Sequence, residues 1–310
     1  MKILFMGTPD FALFSLKAIS SSRHEIVGVV TQPDKPRGRG YTLTPPPVKV
    51  FAQEKGYAVF QPDTLKGEEF ASLLNELSPD LIAVVAYGKI LPQNVLSFPK
   101  YGCINVHGSL LPEYRGAAPM QRAIIDGKKQ TGITTMYMAE GLDTGDMLLK
   151  ETVEIEENDN FEDIHDKLGA CGASLLLKTL DAIENETSVR TKQDEALATY
   201  AAKITKETCL LDFSRDAQAV HDLIRGLSPI PLSFTHTPDG RLLKIISAKI
   251  QDLQGTYGAS GEVISLNDGI TVACGTGSIT ILSVIPEGKS RMGANDFIRG
   301  RKLSVGDILK

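Results

Sequence analysis

The chain has 310 residues, 42% of them hydrophobic and 23% charged, a composition that is typical of globular domains and excludes a mainly disordered, collagen-like or coiled-coil protein. Its formal net charge of −5 excludes a generic polycation that coats nucleic acid, although a local basic patch stays compatible with it. The four cysteines form no CxxC pair, which leaves out zinc-ribbon and thioredoxin-type motifs and is typical of a protein in the reducing cytoplasm.

The first part of the chain alternates apolar runs with helical segments. Residues 2–6 form an apolar run that ends at Gly7 and is too short for a signal peptide or a membrane span. Further strands are predicted at 26–31, 81–87 and 103–107, and helices at 11–20 (with Asp10 as its N-cap), 48–54 and 70–77. This alternation predicts an α/β fold with a doubly wound, Rossmann-like parallel sheet, although no GxGxxG fingerprint follows Gly7.

The pattern changes after about residue 155. Asn160 is the predicted cap of a long helix over 161–184, and the polar segment that follows has no apolar periodicity. Later come a helix at 216–226 and strands at 242–250, 261–265, 270–273 and 279–284, separated by Gly-containing turns. Short strands at this spacing predict a small β-barrel of the OB-like type. We therefore expect a catalytic domain over 1–189, a linker over 190–203 and a C-terminal barrel over 204–310.

The stretch Cys103–Ser109 contains the first pair of residues with chemical potential. Side chains alternate along a strand, so Asn105 and His107 lie on one face and Val106 on the other. At the carboxyl end of a buried strand, where open α/β sheets bind ligands, an Asn can donate hydrogen bonds to an oxyanion and a His can transfer a proton. Taken alone, the pair also fits side chains that only satisfy backbone groups at a strand end.

The second constellation is Gly141–Asp146, which follows a predicted strand over 132–138. Its glycines let the loop approach a ligand closely, and Asp143 brought near His107 would orient the imidazole. The alternative is an ordinary Asp-Gly turn. A metal site built from His107, Asp143 and Asp146 is not favoured because no second histidine accompanies them, so no metal is expected.

The third segment, Ser109–Pro119, contains a pair of leucines that can form the apolar floor of a pocket for a flat aromatic ligand. Together the three segments carry a specific pattern, N-x-H-G-S-L-L-P-x-Y-R-G at 105–116 followed by G-L-D-T-G-D at 141–146. On this pattern the chain resembles the formyltransferases that use 10-formyltetrahydrofolate as co-substrate. The segment G-A-A-P-x-Q-R at 116–122, the second domain and the loop around Arg39 narrow the resemblance to members that act on initiator methionyl-tRNA.

The resemblance implies the formyltransferase fold and a role for each matching residue. Asn105, His107 and Asp143 match the family's catalytic triplet. The folate co-substrate is expected to contact Ser109, Leu110, Leu111 and Pro112, with Val85, Tyr87, Gly88 and Ile90 lining the pterin pocket. The loop from 34 to 44 matches an insertion that reaches the tRNA acceptor end.

Two basic groups are the expected tRNA contacts of this acidic chain. In the loop they are Lys35, Arg37 and Arg39, with Tyr41 placed to stack on a nucleotide where many relatives have a basic residue. In the second domain they are Lys289, Arg291, Arg299, Arg301 and Lys302, for which a solvated surface near the terminus is the alternative interpretation.

Three functions stay open at this point. The resemblance favours transfer of a formyl group from the folate to the methionyl α-amino group of initiator tRNA by a monomeric, cytoplasmic enzyme that has no membrane partner. A folate-dependent formyltransferase for a small amine, such as an amino sugar nucleotide, is the first alternative. A folate-regulated RNA-binding module without catalysis is the second, and the intact Asn105, His107 and Asp143 argue against it.

Overall fold

A computed structural model gives the structure of the chain and describes residues 1–37, 42–300 and 303–310. Four of the expected tRNA contacts, Arg39, Tyr41, Arg301 and Lys302, lie outside the described residues. The other expected site residues lie within them, so the elements that carry those residues can be compared with the predictions.

Strands and helices alternate in the first half of the chain, and short strands dominate its last third. The strands are β1 (Lys2–Gly7), β2 (Glu25–Val30), β3 (Lys35–Arg37), β4 (Thr42–Thr44), β5 (Val59–Phe60), β6 (Leu81–Val85), β7 (Cys103–His107), β8 (Arg115–Gly116), β9 (Gln130–Tyr137), β10 (Met147–Glu154), β11 (Tyr200–Ala201), β12 (Ser233–His236), β13 (Leu242–Asp252), β14 (Val263–Ser265), β15 (Ile270–Ala273), β16 (Ser278–Pro286) and β17 (Met292–Gly293). The α-helices are α1 (Asp10–Ser20), α2 (Pro47–Glu54), α3 (Glu68–Leu77), α4 (Gln93–Leu96), α5 (Pro119–Ile125), α6 (Phe161–Glu184), α7 (Ala217–Gly226) and α8 (Ala294–Arg299).

The chain divides into two compact units that do not follow the sequence strictly. Unit 1 comprises residues 1–116, 131–153 and 165–200, and unit 2 comprises residues 117–130, 154–164 and 201–310. Unit 2 therefore includes helix α5 and the first residues of α6 in addition to the C-terminal part of the chain.

Unit 1 is built on a seven-stranded sheet in the order β10-β9-β7-β6-β1-β2-β5. The pairs β1–β2, β1–β6, β6–β7 and β2–β5 are all parallel, which confirms the predicted Rossmann-like sheet for these strands. β9 pairs antiparallel with β7, so the sheet is mostly rather than wholly parallel. The strand order reverses at β1, and open α/β sheets bind their ligands at the carboxyl ends of the strands beside such a reversal.

The apolar runs of the sequence form the centre of this sheet. All five residues of β6 and five of the six in β1 are buried, as expected of strands that are covered on both faces. Leu4, Ile82 and Phe70 belong to the same core cluster, which joins β1, β6 and α3. Full burial of each such side chain contributes about 1.5–3 kcal/mol to stability, so the core holds β1, β6 and α3 together.

Two N-caps were predicted from the sequence, Asp10 for α1 and Asn160 for α6, and one of the two predictions is confirmed. The prediction for Asn160 is confirmed, because its Oδ1 accepts hydrogen bonds from the backbone N–H groups of Glu162 (2.7 Å) and Asp163 (3.3 Å). The prediction for Asp10 was wrong. Extended Pro9 occupies the N-cap, and the Asp10 carboxylate, as the first helical residue, lies 3.5 Å from Nε2 of His165 instead.

Unit 2 contains a curled antiparallel sheet in the order β12-β13-β16-β15-β14, with β17 paired to β16. The eleven-residue β13 carries three register shifts along its pairing with β16, and such irregularities bend a strand. The predicted small barrel is thus confirmed as a half-barrel of OB-like type. Helix α7 begins after Asp216, whose carboxylate accepts a hydrogen bond from the N–H of Ala219 at 2.7 Å.

Candidate active site

The carboxyl end of β7 brings together the first two predicted catalytic residues. Asn105 and His107 stand two positions apart, opposite Met136 and Thr134 of β9, so they lie on the same face of the strand. His107 is buried and Asn105 is half-buried. The Asn105 carboxamide has no hydrogen-bond partner among the described residues, which leaves its N–H groups open to a ligand.

The imidazole of His107 is fixed by its Nε2 atom. That nitrogen lies 2.9 Å from the carbonyl oxygen of Tyr114, and because a carbonyl only accepts, Nε2 carries the proton of this hydrogen bond. Nδ1 is directed to Asp143, with 3.7 Å between Nδ1 and Oδ2. Nδ1 is therefore the ring position at which a proton can be exchanged.

Asp143 lies on the loop between β9 and β10, as its place in the sequence predicted. Its Oδ2 accepts a hydrogen bond from the backbone N–H of Gly116 at 2.8 Å. The backbone of Asp143 is in the left-handed region, with φ of +52°, a conformation that Asp tolerates better than most residues. The structure thus brings Asn105, His107 and Asp143 into one site within unit 1.

The predicted folate segment, 109–112, continues directly from this strand. Ser109 and Leu111 are fully buried, and Leu110 and Pro112 are half-buried. The Thr134 hydroxyl donates to the Ser109 carbonyl at 2.8 Å and accepts from the Leu111 N–H at 3.0 Å, which holds the segment against β9. The Lys150 ammonium donates to the Leu111 carbonyl, and burial lowers the pKa of Lys150.

The second predicted folate segment follows β6, beside the reversal in strand order. Val85 and Tyr87 are buried, Gly88 is exposed, and the Ile90 side chain is 84% exposed. The Tyr87 carbonyl accepts hydrogen bonds from Thr8 Oγ1 at 3.1 Å and from Gln32 Nε2 at 3.2 Å, which ties the ends of β1, β2 and β6 together.

The hydroxyl of Tyr87 is a buried polar group without a hydrogen-bond partner among the described residues. Burial raises the pKa of Tyr87 to about 12, so the phenol keeps its proton at neutral pH. Val85 and Tyr87 are therefore buried within this segment, whereas Gly88 and Ile90 form a surface that a ligand can cover.

Side-chain hydrogen bonds fix the residue at which the predicted acceptor-end loop begins, Asp34. Asp34 binds the Lys49 ammonium through both carboxylate oxygens at 2.9 Å, and Gln61 bridges the two residues. These hydrogen bonds hold the pKa of Asp34 below its usual range. Beyond this residue, Lys35 is exposed on β3, and Arg37 ends that strand opposite Thr42 of β4.

The predicted basic cluster of unit 2 lies on β16–α8. Lys289, Arg291 and Arg299 are all exposed. The Arg291 guanidinium donates to Ser283 Oγ at 3.3 Å, whereas Arg299 forms an ion pair with Asp296 at 2.9 Å. Part of the positive charge of this cluster is therefore already compensated.

One group within the described residues has the geometry of a metal site, and it is not the set weighed from the sequence. It consists of His24, Asp181 and Glu184. Arg23 lies 2.6 Å from Asp181 and 2.7 Å from Glu184, and the N-terminal ammonium lies 2.9 Å from Glu184, so two cations already offset the two carboxylates. This arrangement is that of an ion-pair network rather than a metal centre.

The segment predicted as a linker contributes contacts that the sequence analysis missed. The Thr199 hydroxyl accepts from the N–H of Tyr114 at 2.8 Å, and Arg115 N–H donates to the Thr199 carbonyl at 2.9 Å. Gln193 and Glu195 also bind this loop through Arg115. The only hint in the sequence was a cluster of polar residues with hydrogen-bonding side chains in a stretch without periodicity.

Comparison with known proteins places this geometry in a family. The chain matches the models for "Formyl transferase" over residues 1–180 and "Formyl transferase, C-terminal domain" over residues 203–302. It is 48% identical over 310 residues to the methionyl-tRNA formyltransferase of Citrifermentans bemidjiense, covering 100% of this chain and 96% of that protein. The corresponding protein of Acetivibrio thermocellus is 46% identical over 310 residues, covering 100% of this chain and 99% of that protein.

Solved structures share the fold at lower identity. An N-formyltransferase from Helicobacter canadensis, in complex with folinic acid and dTDP-3-aminofucose, has a TM-score of 0.68 and 19% identity and covers 91% of this chain and 98% of that chain. HypX from Aquifex aeolicus, in complex with tetrahydrofolic acid, has a TM-score of 0.65 and 17% identity, over 98% of this chain and 48% of that chain. Within the described residues, no helix is both long and apolar enough to cross a bilayer. The chain belongs to the formyl transferase family, among the methionyl-tRNA formyltransferases.

Proposed function

We propose that the chain transfers the formyl group of 10-formyltetrahydrofolate to the α-amino group of methionine on initiator methionyl-tRNA, in translation initiation, with Asn105, His107 and Asp143 as its catalytic residues. The observation that carries this assignment is the juxtaposition at the end of β7. A free carboxamide stands on the same strand face as an imidazole whose second nitrogen is directed to a carboxylate 3.7 Å away. The names of relatives that are 45–48% identical support the acceptor.

Asn105 stabilises the oxyanion. The unprotonated α-amino group attacks the formyl carbon on N10, a C–N bond forms, and the carbonyl oxygen becomes negatively charged. The Asn105 carboxamide donates a hydrogen bond to that oxygen, an interaction that strengthens as the charge develops. A single donor of this kind contributes about 10²–10³ in rate.

His107 moves the proton that the leaving group needs. When the tetrahedral intermediate collapses, the bond between the formyl carbon and N10 breaks and N10 takes up a proton. The attacking amine has gained a positive charge and releases one proton in return, so the reaction balances without an added acid or base. Nδ1 of His107 serves as the exchange site because Nε2 is held by the Tyr114 carbonyl.

Asp143 orients His107 and stabilises its charged form while a proton is in transit. The 3.7 Å separation between the two groups is longer than a hydrogen bond, so the proton is relayed between them through water or after the substrates close the site. No covalent enzyme intermediate and no metal take part in this mechanism. Most of the remaining acceleration comes from holding two large substrates together.

The folate is proposed to lie between the segments that follow β6 and β7. Ser109, Leu110, Leu111 and Pro112 form one side, and Val85, Tyr87, Gly88 and Ile90 form the other. The Ile90 side chain is 84% exposed, and covering it with a flat ring system would remove apolar surface from water, which favours binding. Its exposure therefore supports this placement. Exposed backbone at Gly88 lets the ligand approach closely.

The tRNA is proposed to contact two basic groups. Lys35, Arg37, Arg39 and Tyr41 serve the acceptor end, and Lys289, Arg291, Arg299, Arg301 and Lys302 serve the phosphate backbone elsewhere. The exposure of Lys35, Lys289 and Arg291 supports this assignment, because only solvent-facing cations can release counterions from a polyanion. We also propose that the enzyme acts as a monomer. We propose the cytoplasm as its location, in agreement with its four free thiols.

The test is a formylation assay with chemically matched acceptors. The protein is incubated with 10-formyltetrahydrofolate and methionine-charged initiator tRNA, and formylmethionine released from the tRNA is measured by mass spectrometry. Formylmethionine that forms with the wild type and is lost with His107→Ala supports the proposal. Transfer to a dTDP-amino sugar but not to charged tRNA would contradict it in favour of the small-amine enzyme. Tight tRNA binding without any transfer would favour a binding module.

A further inference from the structure

Arg115 is a fully buried guanidinium whose hydrogen bonds run to the segment 193–195. Its Nε donates to Gln193 Oε1 at 3.0 Å, and its two terminal nitrogens donate to the two Glu195 carboxylate oxygens at 2.9 and 2.8 Å. This ion pair holds the pKa of Glu195 below its usual range. A buried guanidinium must be paired in this way, so Arg115 is locked to the segment.

The two residues beside Arg115 both contact the proposed catalytic pair. The carbonyl of Tyr114 accepts the hydrogen bond from His107 Nε2 at 2.9 Å. The N–H of Gly116 donates to Asp143 Oδ2 at 2.8 Å. A displacement of the Arg115 backbone therefore moves the hydrogen-bond partners of His107 and Asp143 together.

Gln193 holds the other side of Asp143. Its Nε2 donates to the main-chain carbonyls of Asp143 at 2.7 Å and of Gly145 at 2.8 Å, while its Oε1 accepts from Arg115. Both N–H donors and the oxygen of the carboxamide are thus used. The turn that carries Asp143 is clamped between Gly116, at its side chain, and Gln193, at its main chain.

This clamp matters because His107 and Asp143 do not hold one another. With 3.7 Å between Nδ1 and Oδ2, no direct hydrogen bond sets their relative position. The left-handed backbone of Asp143 also persists only where the surroundings impose it. Bonds from Gln193 and Gly116, both connected to Arg115, supply that constraint.

We propose that Gln193 and Arg115 are positioning residues, which set the distance and orientation between Asp143 and His107 for formyl transfer without touching either substrate. This inference rests on the proposed function of Asp143 and His107. Through Gln193, a segment that lies between the two matched family regions would then affect the chemical step.

The test compares Gln193→Met, which keeps the length and removes both donors as well as the acceptor for Arg115, with a matched control. Gln130→Met is that control, because the Gln130 amide also forms a side-chain hydrogen bond, to Glu154 at 2.6 Å, but lies in unit 2 on the surface. We expect kcat for formylation to fall about 10- to 100-fold in Gln193→Met, with both KM values within about twofold of wild type. Gln130→Met should match wild type. An unchanged kcat in folded Gln193→Met would overturn the proposal.

A double-mutant cycle separates positioning from a structural effect. If Gln193 acts through Asp143, Asp143→Asn combined with Gln193→Met should be no slower than Asp143→Asn alone. Full additivity of the two losses would contradict a positioning role. Gln193→Glu is a second variant, for use if Gln193→Met does not fold, since it keeps the acceptor for Arg115 and turns an oxygen toward the two carbonyls; it should lose activity likewise.

The ring nitrogen resonances of His107 give a readout that does not depend on the acceptor. In ¹⁵N-labelled enzyme without substrates, Gln193→Met should shift the Nδ1 signal, and Gln130→Met should not. If the wild type fails to formylate methionyl-tRNA, the proposed function is wrong, yet this shift still decides whether Gln193 positions Asp143 against His107. Identical spectra for wild type and Gln193→Met would refute the inference even in a fully active enzyme.

Discussion

Gly145 and Tyr137 are packed backbone against backbone: a β-carbon added to Gly145 would lie 1.7 Å from the carbonyl oxygen of Tyr137. From the sequence, the glycines of this loop are expected to let a ligand approach closely. At Gly145 the close approach is to strand β9 itself. The glycine therefore serves to seat the loop that carries Asp143 against the sheet.

Gly145→Ala should consequently impair the chemical step. The carbonyl of Tyr137 belongs to the sheet and cannot yield, so the loop must move, and a displacement of about 1 Å at a reacting group can cost about 10² in rate. Gly141→Ala is the matched comparison, because there the three nearest atoms all belong to the Thr144 side chain, at 2.3–3.2 Å, and a side chain shifts more readily than a strand backbone. Single-turnover formylation rates check both variants, and equal losses in the two would contradict this explanation.

Asn105→Ala and His107→Ala should each abolish most turnover while the fold stays intact. Removal of one oxyanion donor costs about 10²–10³ in rate, and loss of a general acid–base side chain costs about 10²–10⁴. Neither side chain belongs to the apolar core clusters found among the described residues. Rates are measured under single-turnover conditions, and circular dichroism together with the melting temperature checks the fold. Near-normal activity in either folded variant would remove that residue from the mechanism.

Asp143→Asn should lower turnover more than folate affinity. The substitution keeps the shape of the side chain and its ability to accept from the Gly116 N–H, but removes the negative charge beside His107. Folate binding is followed by fluorescence titration and turnover by formylation of charged tRNA. A variant with weakened folate binding and an unchanged kcat would assign Asp143 to the pterin site instead.

The C-terminal cluster offers a test with effects of opposite sign. Replacing Lys289, Arg291 and Arg299 by Gln should weaken tRNA binding and reduce its salt dependence, by up to about 0.9 in the logarithmic slope for each lost phosphate contact. Asp296→Asn should strengthen binding, because it releases Arg299 from its ion pair. Filter binding at several salt concentrations measures both. Unchanged affinity and slope in the triple variant would show that these three residues are only part of a solvated surface.

Unit 2 contains a histidine that should make its stability fall in acid. His221 is 4% exposed and its Nδ1 has no hydrogen-bond partner among the described residues, and burial lowers the pKa of His221. A folded-state pKa below the unfolded value of about 6.5 means that the unfolded chain binds the proton more tightly. The free energy of unfolding should thus be highest above pH 6.5 and decline as the pH falls through the folded-state pKa. His221→Phe should show a smaller loss between pH 8 and pH 5 in urea titrations, and an identical loss would contradict this origin.

Local sequence patterns predicted those parts of the fold that depend on local periodicity. The buried strands β1 and β6 were predictable because strands covered on both faces are continuously apolar, and the shared face of Asn105 and His107 in β7 follows from the two-residue repeat. The start of α1 was missed because Pro9, which reads as a turn residue, occupies the N-cap and displaces Asp10 into the helix. The antiparallel direction of β9 could not be predicted, because apolar periodicity does not encode strand polarity.

Many contacts that hold the site residues in place had no such pattern in the sequence. Gln193 contacts Asp143 from 50 positions away, through main-chain carbonyls that any residue could provide. Arg115 is charged, and charged side chains are mostly exposed, so nothing in the pattern indicated that it is fully buried. Contacts of this kind depend on where two loops meet after folding, and only the structure reveals them.

The bonds from Gln193, Glu195 and Thr199 to the loop beside β7 determine where this protein can be divided. A fragment that ends at residue 189 would keep Asn105, His107 and Asp143 yet lose all three of these side chains. An exchange of C-terminal regions between related enzymes would preserve the arrangement of Asn105, His107 and Asp143 only if the crossover falls after Tyr200. The stretch that joins the two matched family regions therefore belongs with the first region, because its side chains support the site that the first region carries.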